Sequence, residues 1–379
     1  MNIALIGLGM VADTHVNAVK AADGLSIVGV LGRDPARRGR LRTAMRCPFI
    51  PISRRCVLMH RWILCCLTTP PDARAPLVER LIAAGKPILM EKPIERDLSS
   101  ARRIVAACDR ANLPMGVMFQ HRTRTAATAL RTAIDAGSLG EIATVDLRVP
   151  WWRDQSYYDV PGRGSLPATA VGYDLAGHSH PRSGALASGP DHLGSSMTRT
   201  TALHRLEAED WAGALFEMDC GAVGSLMATT AAFPGHAESI TVQGTRAAAH
   251  LSGGVLTLTH LDGHLDRIGA TAASGGGADP MAFTHEWHQR AIEDFADALR
   301  HGRPPIASGQ SALARMRSST RCSAPATPSA DRGGTMTLGC VAIGIDHRHI
   351  FGMIAQMQRV GVRCLGFWTD GTPPTLPGS

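Results

Sequence analysis

The residues with the clearest chemical meaning lie near the start of the chain, where Gly7, Gly9 and Ala12 follow the apolar run at residues 3–6. A run of this length is typical of a buried parallel strand, and a helical pattern follows Ala12. Glycine at position 7 allows a sharp turn, glycine at position 9 lets a pyrophosphate approach the backbone, and a small residue at position 12 keeps the helix close to the strand. The free N–H groups at the helix start then face the phosphates. The spacing predicts a dinucleotide-binding turn; the alternative is an ordinary tight turn between a strand and a helix.

The end of the second apolar strand, residues 25–31, bears on the choice of dinucleotide. In a dinucleotide-binding fold an acidic side chain here binds the ribose hydroxyls and favours NAD, whereas an arginine accommodates the 2′-phosphate of NADP. The sequence has Gly32 and Arg33 at this point. Arg33 therefore favours NADP over NAD. The alternative is that Arg33 is a solvated loop residue and that Asp34 caps the next helix.

Histidines cluster at residues 178–180, 285–288 and 347–349 and raise the question of a metal site. The histidines of residues 285–288 are three positions apart, which is not the HExxH spacing of zinc proteases, and no third ligand is evident. We therefore predict no metal site.

Alternating short apolar strands and helices must position these residues. Helical patterns cover residues 71–84, with Asp72 as the expected cap and Gly85 at the end, and residues 97–112. Such alternation predicts an α/β fold with a doubly wound parallel sheet. The predicted strands are residues 3–6, 25–31, 87–90 and 115–119.

The composition excludes several classes of protein. The 379 residues are enough for two domains, and nine cysteines without regular spacing argue against a disulfide framework. We find no transmembrane run and no signal peptide and expect a cytoplasmic protein. The net charge of +7 comes from residues 35–66 and 315–335, which hold twelve arginines and one aspartate. No basic face interleaved with aromatic residues is present, so a nucleic-acid partner is not expected.

Three motifs, each at a strand end, resemble those of the Gfo/Idh/MocA oxidoreductases, which include glucose–fructose oxidoreductase and inositol dehydrogenase. They are GLGMVADTH at 7–15, TTPPD at 68–72 and EKP at 91–93. The resemblance continues through residues 137–142 and through 200–233, where alternating strands are broken by a turn at Cys220-Gly221. It implies an N-terminal Rossmann domain over residues 1–122. It also implies a C-terminal α+β domain over residues 123–314, with an open, mostly antiparallel sheet.

The same resemblance implies roles for individual residues, of which Lys92 is the expected catalytic residue. Its ammonium would hydrogen-bond the reacting hydroxyl, stabilise developing alkoxide charge during hydride transfer and help to move the proton. His15, by contrast, is interpreted as a histidine on the surface of the first helix. The predicted cofactor-binding residues are Gly7, Leu8, Gly9, Met10, Val11, Arg33, Thr69, Pro70, Glu91, Lys92 and Gln120. The predicted substrate contacts are Lys92, Arg122, Trp152 and Tyr157, with core packing as the alternative for the two aromatic residues.

One element of the family pattern is missing. Relatives carry an Asp-x-x-x-His type element whose histidine takes the substrate proton, but residues 165–196 are instead crowded with Gly, Ser, Pro and His, in a loop longer than compact domains usually hold. We hypothesise that this stretch is read out of frame, because codons for residues 177–183, shifted by one base, can encode AIHTLDL. Codons for parts of the arginine-rich segments 43–66 and 315–335, shifted in the same way, can also encode plausible family elements. The alternative is a divergent family member with unusual loops.

The tail repeats the beginning of the chain. Residues 336–349 have the pattern of residues 1–15, and a helix and a strand at 364–367 follow, as at the start of another Rossmann-type protein fused behind an out-of-frame linker at 315–335. A lone βαβ unit cannot bury its apolar faces. We therefore expect residues 336–379 to form a poorly packed, inactive βαβ-like tail.

The family resemblance implies an NAD(P)-dependent oxidoreductase that acts on a secondary alcohol of a sugar, cyclitol or related polyol. The expected partners are that small molecule and further copies of the chain, docked through the sheet of the second domain; neither nucleic acid nor membrane is expected. Three alternatives remain open. The chain could bind a dinucleotide without catalysis because the Asp/His element is missing, it could be a lyase or glycosidase that uses NAD transiently, or it could fail to fold.

Overall fold

The computed structural model describes residues 1–36, 39, 64–159, 192–272, 283–314, 316, 339–343 and 363–368. The chain divides into two compact units, residues 1–326 and residues 327–379. The out-of-frame hypothesis falls mainly on residues 43–63, 165–191 and 317–335, which lie outside the described residues.

Five parallel strands form the first sheet, in the order β2-β1-β3-β4-β5. They are β1 (Asn2–Ile6), β2 (Ser26–Leu31), β3 (Leu64–Leu67), β4 (Ile88–Glu91) and β5 (Met115–Met118). Every residue of β3, β4 and β5 is buried, as short continuous apolar runs predict for strands covered on both faces. The strand order reverses between β1 and β3, and ligands of such sheets bind beyond the carboxyl ends of the strands at this point. The predicted parallel sheet is confirmed.

Three helices connect these strands, namely α1 (Ala12–Ala21), α2 (Ala75–Ala83) and α3 (Leu98–Arg110). The side chain of Asp97 caps α3 by accepting a hydrogen bond from the Ser100 N–H at 2.8 Å. The prediction of Asp72 as a helix cap is wrong, because Asp72 lies in a single 3-10 turn and α2 begins only after Arg74. The reason is Pro76, which lacks a backbone N–H and fits only the first turn of an α-helix.

Eight strands form the second sheet, in the order β13-β12-β11-β10-β6-β9-β8-β7. Only the β6–β9 pair is parallel among these neighbours, so the predicted mostly antiparallel sheet is confirmed. The β8–β9 hairpin turns at Gly221, whose φ is 82°, at the position that the Cys220-Gly221 pair predicts. The strands are β6 (Ile142–Pro150), β7 (His192–Arg199), β8 (Trp211–Glu217), β9 (Val223–Thr229), β10 (Ser239–Gly244), β11 (Ala247–Ser252), β12 (Val255–His260) and β13 (Leu265–Gly269).

One face of this sheet packs on helix α4 (Thr125–Asp135), and a four-residue helix, α5 (Gln155–Tyr158), follows β6. Leu130 of α4 is fully buried against Val145, Phe216 and Val242 of the strands. The side chains alternate along each strand, so Leu215, next to Phe216, points away from this core and is 56% exposed.

Helix α6 (Glu286–His301) comes late in the chain but packs beside α1 on the first sheet. Its Phe295 is buried with Leu89 and Met118. Gly116 of β5 must be glycine here, because a Cβ at that position would lie 2.8 Å from the Phe295 ring. The predicted boundary between the two domains, at residues 122 and 123, stays a prediction. It divides the chain by order in the sequence, whereas α6, which comes after that boundary, packs on the first sheet.

Two stretches with unusual composition contribute described strands to the first unit. Residues 64–66 begin β3, and residues 192–196, expected to belong to a long loop, begin β7. The backbone of β7 pairs with β8 from His192 to Arg199, so the sheet satisfies the backbone groups of β7 that face β8.

The second unit is described through two strands, β14 (Gly339–Ile343) and β15 (Arg363–Trp368), which pair in parallel. Among the helices that the structure describes, none combines the length and the apolar composition that crossing a membrane would need.

Candidate functional site

The turn after β1 lies directly against the end of β3. Gly7 has a φ of 107°, and a Cβ on it would lie 2.6 Å from both the Thr68 carbonyl carbon and the Thr69 nitrogen. The Thr68 hydroxyl donates to the Gly7 carbonyl at 2.7 Å. Glycine is therefore the residue that this close approach requires.

The predicted phosphate-binding residues differ in exposure. Gly9 and Met10 are exposed, and Val11, directly before α1, is half-buried. Leu8 is buried in the core between α1 and the sheet, and only its backbone can contact a cofactor. Arg33 is exposed just beyond the end of β2.

A buried arginine, which sequence reasoning missed, joins the loops after β3 and β4. Arg74 donates from Nε and Nη2 to the Thr69 carbonyl at 2.9 and 2.8 Å, and from Nη1 to the Glu91 carbonyl at 2.5 Å. It also donates to the carbonyls of Pro93 and Ile94. Burial lowers the pKa of Arg74 to about 10, although neighbouring carboxylates oppose the shift. The TTPPD and EKP motifs are thus held together by one guanidinium.

Glu91, at the end of β4, is buried between two histidines. His15 donates from Nε2 to Glu91 Oε1 at 2.7 Å, and His288 Nε2 lies 3.5 Å from the same oxygen. Burial by itself would raise the pKa of Glu91, but the hydrogen bonds from His15 and His288 outweigh it and hold the pKa well below its usual value. The interpretation of His15 as a surface histidine is wrong, because it is 1% exposed on the inner face of α1.

Among the described residues, His15, Glu91 and His288 form a group that could hold a metal ion, since their donor atoms lie within 4.8 Å of one another. Sequence reasoning found no third ligand near residues 285–288 because the partners come from α1 and β4. Two ligands of one tetrahedral zinc ion stand about 3.3 Å apart, given metal–ligand distances of about 2.0 Å. The 2.7 Å separation of His15 and Glu91 is a hydrogen bond instead.

The predicted catalytic lysine follows Glu91 at the same edge of the sheet. Lys92 is half-buried. The pKa values of His121 and His288 are lowered mainly by their own burial, and the charge of Lys92 adds to this effect. Gln120 lies beyond the neighbouring strand β5 and is buried. The side-chain oxygens Gln120 Oε1 and Thr69 Oγ1 are buried without a hydrogen-bond partner among the described residues. Groups of this kind suit a polar ligand at the strand ends.

Two arginines that follow Gln120 are buried rather than open to solvent. Arg122, a predicted substrate contact, packs 4.3 Å above the Phe119 ring and donates to the Ser311 hydroxyl at 3.1 Å. Arg124 donates from Nη1 to Glu238 Oε1 at 2.5 Å. A substrate contact by Arg122 remains a prediction.

The Arg124–Glu238 pair belongs to a network that sequence reasoning missed. The Arg124 guanidinium lies 3.6 Å from the centre of the Trp287 ring, and His121 Nδ1 lies 3.3 Å from Glu238 Oε1. Desolvation lowers the pKa of His121, with Glu238 opposing it. The network joins the segment after β5, the residue before β10 and the first turn of α6.

Trp152 and Tyr157, the predicted aromatic substrate contacts, lie in an aromatic cluster around a buried histidine. The ring of Trp152 is 5.5 Å from His204 and 5.4 Å from Phe233, and Tyr157 packs edge-on against Tyr158 at 5.1 Å. This cluster is built from the segment after β6, from α5, and from the segments before β8 and after β9. Both residues are half-buried, so a role in substrate binding and the packing alternative both remain predictions.

Hydrogen bonds fix the centre of that cluster. His204 Nδ1 lies 2.7 Å from Asp210 Oδ2, and His204 Nε2 lies 2.7 Å from the Arg153 carbonyl oxygen. Asp210 is fully buried and also accepts from the Thr201 N–H and hydroxyl.

Comparison with known families matches most of the first unit. Residues 1–119 match a family described as "Oxidoreductase family, NAD-binding Rossmann fold" (GFO_IDH_MocA), and residues 127–250 match the "GFO/IDH/MocA C-terminal domain". The two matched stretches together cover more than half of the chain.

Curated relatives share part of this chain. Inositol 2-dehydrogenase of Rhizobium meliloti is 29% identical over 149 residues, which cover 39% of this chain and 44% of the relative. D-apiose dehydrogenase of Paraburkholderia graminis is 30% identical over 156 residues, covering 41% of this chain and 39% of the relative. The chain therefore spans about two fifths of the length of the curated relatives it matches.

Solved structures share the fold over a longer stretch. An oxidoreductase from Agrobacterium radiobacter, solved with NAD⁺, L-tartaric acid and magnesium, superposes with a TM-score of 0.70 at 20% identity and covers 84% of this chain and 94% of that one. The WlbA dehydrogenase from Bordetella pertussis, solved with NADH and UDP-GlcNAcA, gives a TM-score of 0.68 at 21% identity, covering 85% and 95%. At this identity the likeness concerns the fold.

Proposed function

Since this chain belongs to the Gfo/Idh/MocA oxidoreductase family, we propose that it transfers hydride between a nicotinamide cofactor and a secondary alcohol. The alcohol would be carried by a sugar, a cyclitol or a related polyol. The observation that carries the proposal is the common edge of the first sheet, where the Gly7 turn, Thr69, Lys92 and Gln120 all follow carboxyl ends of parallel strands.

The residues at this edge fit a dinucleotide. Gly7 and Gly9 leave the turn after β1 without side chains, and α1 begins directly after this turn, so the positive end of its dipole favours a pyrophosphate here. The buried oxygens Thr69 Oγ1 and Gln120 Oε1 have no protein partner among the described residues and suit polar groups of the bound cofactor. The nicotinamide ring supplies hydride chemistry when bound, and the protein orients and polarises the alcohol.

In this proposal Lys92 is the catalytic residue. Its ammonium donates a hydrogen bond to the oxygen of the alcohol, which becomes negatively charged as hydride leaves the carbon. Glu91 stays buried behind Lys92, and Arg74 holds the backbone on either side of it. Substrate contacts by Arg122, Trp152 and Tyr157 are part of the same proposal.

The preference for NADP is a finer proposal that rests on Arg33. This exposed residue follows β2, whose end lacks an acidic side chain. The measurement is the affinity for NADPH relative to NADH in the unaltered protein and in Arg33→Ala. We expect the substitution to weaken the binding of NADPH and to leave the binding of NADH unchanged. The same NADPH affinity in Arg33→Ala and in the unaltered protein would contradict this.

A cytoplasmic location and self-association complete the proposal. The outer face of the second sheet carries Met197, Leu215 and Val223, which are 46%, 56% and 55% exposed. Register places all three on one face of the β7–β8–β9 ladder. Exposed apolar residues grouped on a sheet favour an interface between copies of the chain, which sedimentation of Leu215→Glu would test.

The second candidate function is dinucleotide binding without catalysis. It is favoured by the missing Asp-x-x-x-His type element, whose expected position lies outside the described residues. Resequencing the DNA for residues 35–70, 160–200 and 310–340 decides whether single-base changes restore that element.

Incubation with NAD⁺ or NADP⁺ and a panel of sugars, cyclitols and related polyols tests the main proposal. Formation of reduced nicotinamide together with an oxidised substrate is the expected result. Cofactor binding without turnover on the whole panel would support the non-catalytic alternative. Absence of cofactor binding by a folded protein would contradict both.

A further inference from the structure

The cluster of Glu91, His15 and His288 has no role in the hydride transfer described above, yet it lies next to the proposed catalytic lysine. Glu91 is the last residue of β4, His15 lies on α1, and His288 lies in the first turn of α6. All three side chains are less than a tenth exposed. Three elements that are far apart in sequence therefore meet at the residue before Lys92.

We propose that His288, together with His15, is a positioning residue that fixes Lys92 by holding the Glu91 side chain from the interior. The inference rests on the proposed function, because positioning matters only if Lys92 contacts the substrate. His288 belongs to the histidine cluster at residues 285–288. The spacing of these histidines argues against a zinc site and predicts no other role for them.

The backbone around Lys92 is held by two sets of contacts. On the interior side, Glu91 Oε1 meets His15 Nε2 at 2.7 Å and His288 Nε2 at 3.5 Å. From the other loop, Arg74 binds the main-chain carbonyls of Glu91, Pro93 and Ile94. Lys92 lies between these attachments, so its Cα has little freedom, and only its side chain remains to reach a ligand.

The arrangement also explains how a carboxylate is tolerated at this depth. A buried carboxylate is costly unless charge-assisted hydrogen bonds satisfy it. His15 and His288 approach the same oxygen with ring nitrogens, and their rings meet edge-on at 5.1 Å between centroids. Their Nδ1 atoms have no partner among the described residues, so the Nε2 atoms are the ones committed to Glu91.

The charged and titratable groups around Glu91 come from every element packed on it. They are His15 of α1, His288 of α6, Cys66 of β3, and Arg74 and Lys92 of the adjoining loops. Burial lowers the pKa of Arg74, and the charge of Glu91 opposes that shift, so these two groups interact electrostatically. Phe283 stacks on His288 at 5.5 Å between ring centroids and fixes the orientation of the imidazole.

The test compares three variants of the full chain. His288→Leu removes the ring nitrogens at similar volume, whereas His288→Gln keeps a side-chain N–H donor. His285→Gln is the matched control, because His285 begins the same helix and makes no side-chain cap. The measurements are hydrogen exchange of the peptide at residues 88–96, affinity for NADH or NADPH, and turnover with a polyol substrate.

For His288→Leu we expect faster exchange at residues 91–94, cofactor affinity within about twofold of the unaltered protein, and turnover lowered about tenfold to a hundredfold. That loss corresponds to one charge-assisted hydrogen bond. His288→Gln should recover most of the turnover, and His285→Gln should match the unaltered protein. If His288→Leu does not fold, Glu91→Gln supplies the comparison, since it keeps the shape and removes the charge.

Unchanged exchange in His288→Leu, or equal effects of His288→Leu and His285→Gln, would overturn the proposal. A stoichiometric metal ion that is present in the purified protein and lost in His288→Gln would also overturn it, in favour of a metal site. If the unaltered protein turns over no polyol, the proposed function fails, while the exchange comparison still decides whether His288 holds the 91–94 segment.

Discussion

Replacing Gly7 by alanine tests the close approach of the turns after β1 and β3. An alanine at a φ of 107° is strained by about 1–3 kcal/mol. Its Cβ would also lie 2.6 Å from the Thr68 carbonyl carbon and the Thr69 nitrogen. Because both are backbone atoms of the segment directly after β3, relieving this overlap costs about 1–3 kcal/mol more.

The expected destabilisation is therefore about 2–6 kcal/mol, which lowers the melting temperature of a domain of this size by about 4–24 °C. Gly9→Ala is the matched comparison, because a Cβ there would meet only the Thr68 carbonyl oxygen, at an ordinary 3.5 Å. We expect Gly9→Ala to melt like the unaltered protein but to bind NADH at least about tenfold more weakly, since its methyl group occupies the path of the pyrophosphate.

Thermal unfolding followed by circular dichroism, with NADH fluorescence for binding, separates the two effects. If Gly7→Ala melts within 2 °C of the unaltered protein, roughly the shift that 0.5–1 kcal/mol gives, the steric argument is refuted. If Gly9→Ala binds NADH normally, the pyrophosphate does not lie over this turn.

Three further predictions follow from buried groups. Glu238→Ala leaves the Arg124 guanidinium buried without its carboxylate, so we expect a loss of about 3–5 kcal/mol in urea unfolding; a loss below 1 kcal/mol would show that water replaces the pair. Because the pKa of Glu91 is lowered in the folded chain, its stabilising contribution is complete above the ordinary value of 4.5 and is lost as pH falls below that value. Acid unfolding curves of Glu91→Gln should therefore be flatter below pH 4.5, and identical curves would contradict the assignment. Burial raises the pKa of Cys65 to about 12, so a thiol reagent at neutral pH should modify exposed Cys220 and leave Cys65 intact, as peptide mapping would show.

Local patterns were enough to predict the strand–turn–helix unit at residues 2–21 and the strand ends that carry Thr69 and Lys92. Each of these depends on a few neighbouring residues, such as an apolar run followed by glycine or proline. The mostly antiparallel second sheet depended on the family resemblance as well as on the turn at Cys220-Gly221.

The networks around the site could not be predicted in the same way. Glu91 meets His15 across 76 positions of the chain, and Arg124 meets Glu238 across 114. Such pairs leave no local pattern, because only the packing of α1, α6 and the second sheet brings them together. The interpretation of His15 as a surface residue is wrong for this reason, since its helix is covered on that side by α6, which comes more than 270 positions later.

Arg74 shows a related limit. A charged residue that follows two prolines and precedes a helix is typical of an exposed turn. The Arg74 guanidinium instead donates hydrogen bonds to four backbone carbonyls, in the place of water. Only the packing of two loops reveals that these carbonyls need a donor.

The most direct test of the account is hydride transfer by the unaltered protein and by Lys92→Met under cofactor saturation. The assay follows reduced nicotinamide with the polyol that the panel identifies, and cofactor affinity is measured in parallel. The account predicts that Lys92→Met, at saturating cofactor, loses turnover by at least about a hundredfold. Turnover within threefold of the unaltered protein would contradict the assignment of Lys92 as the catalytic residue.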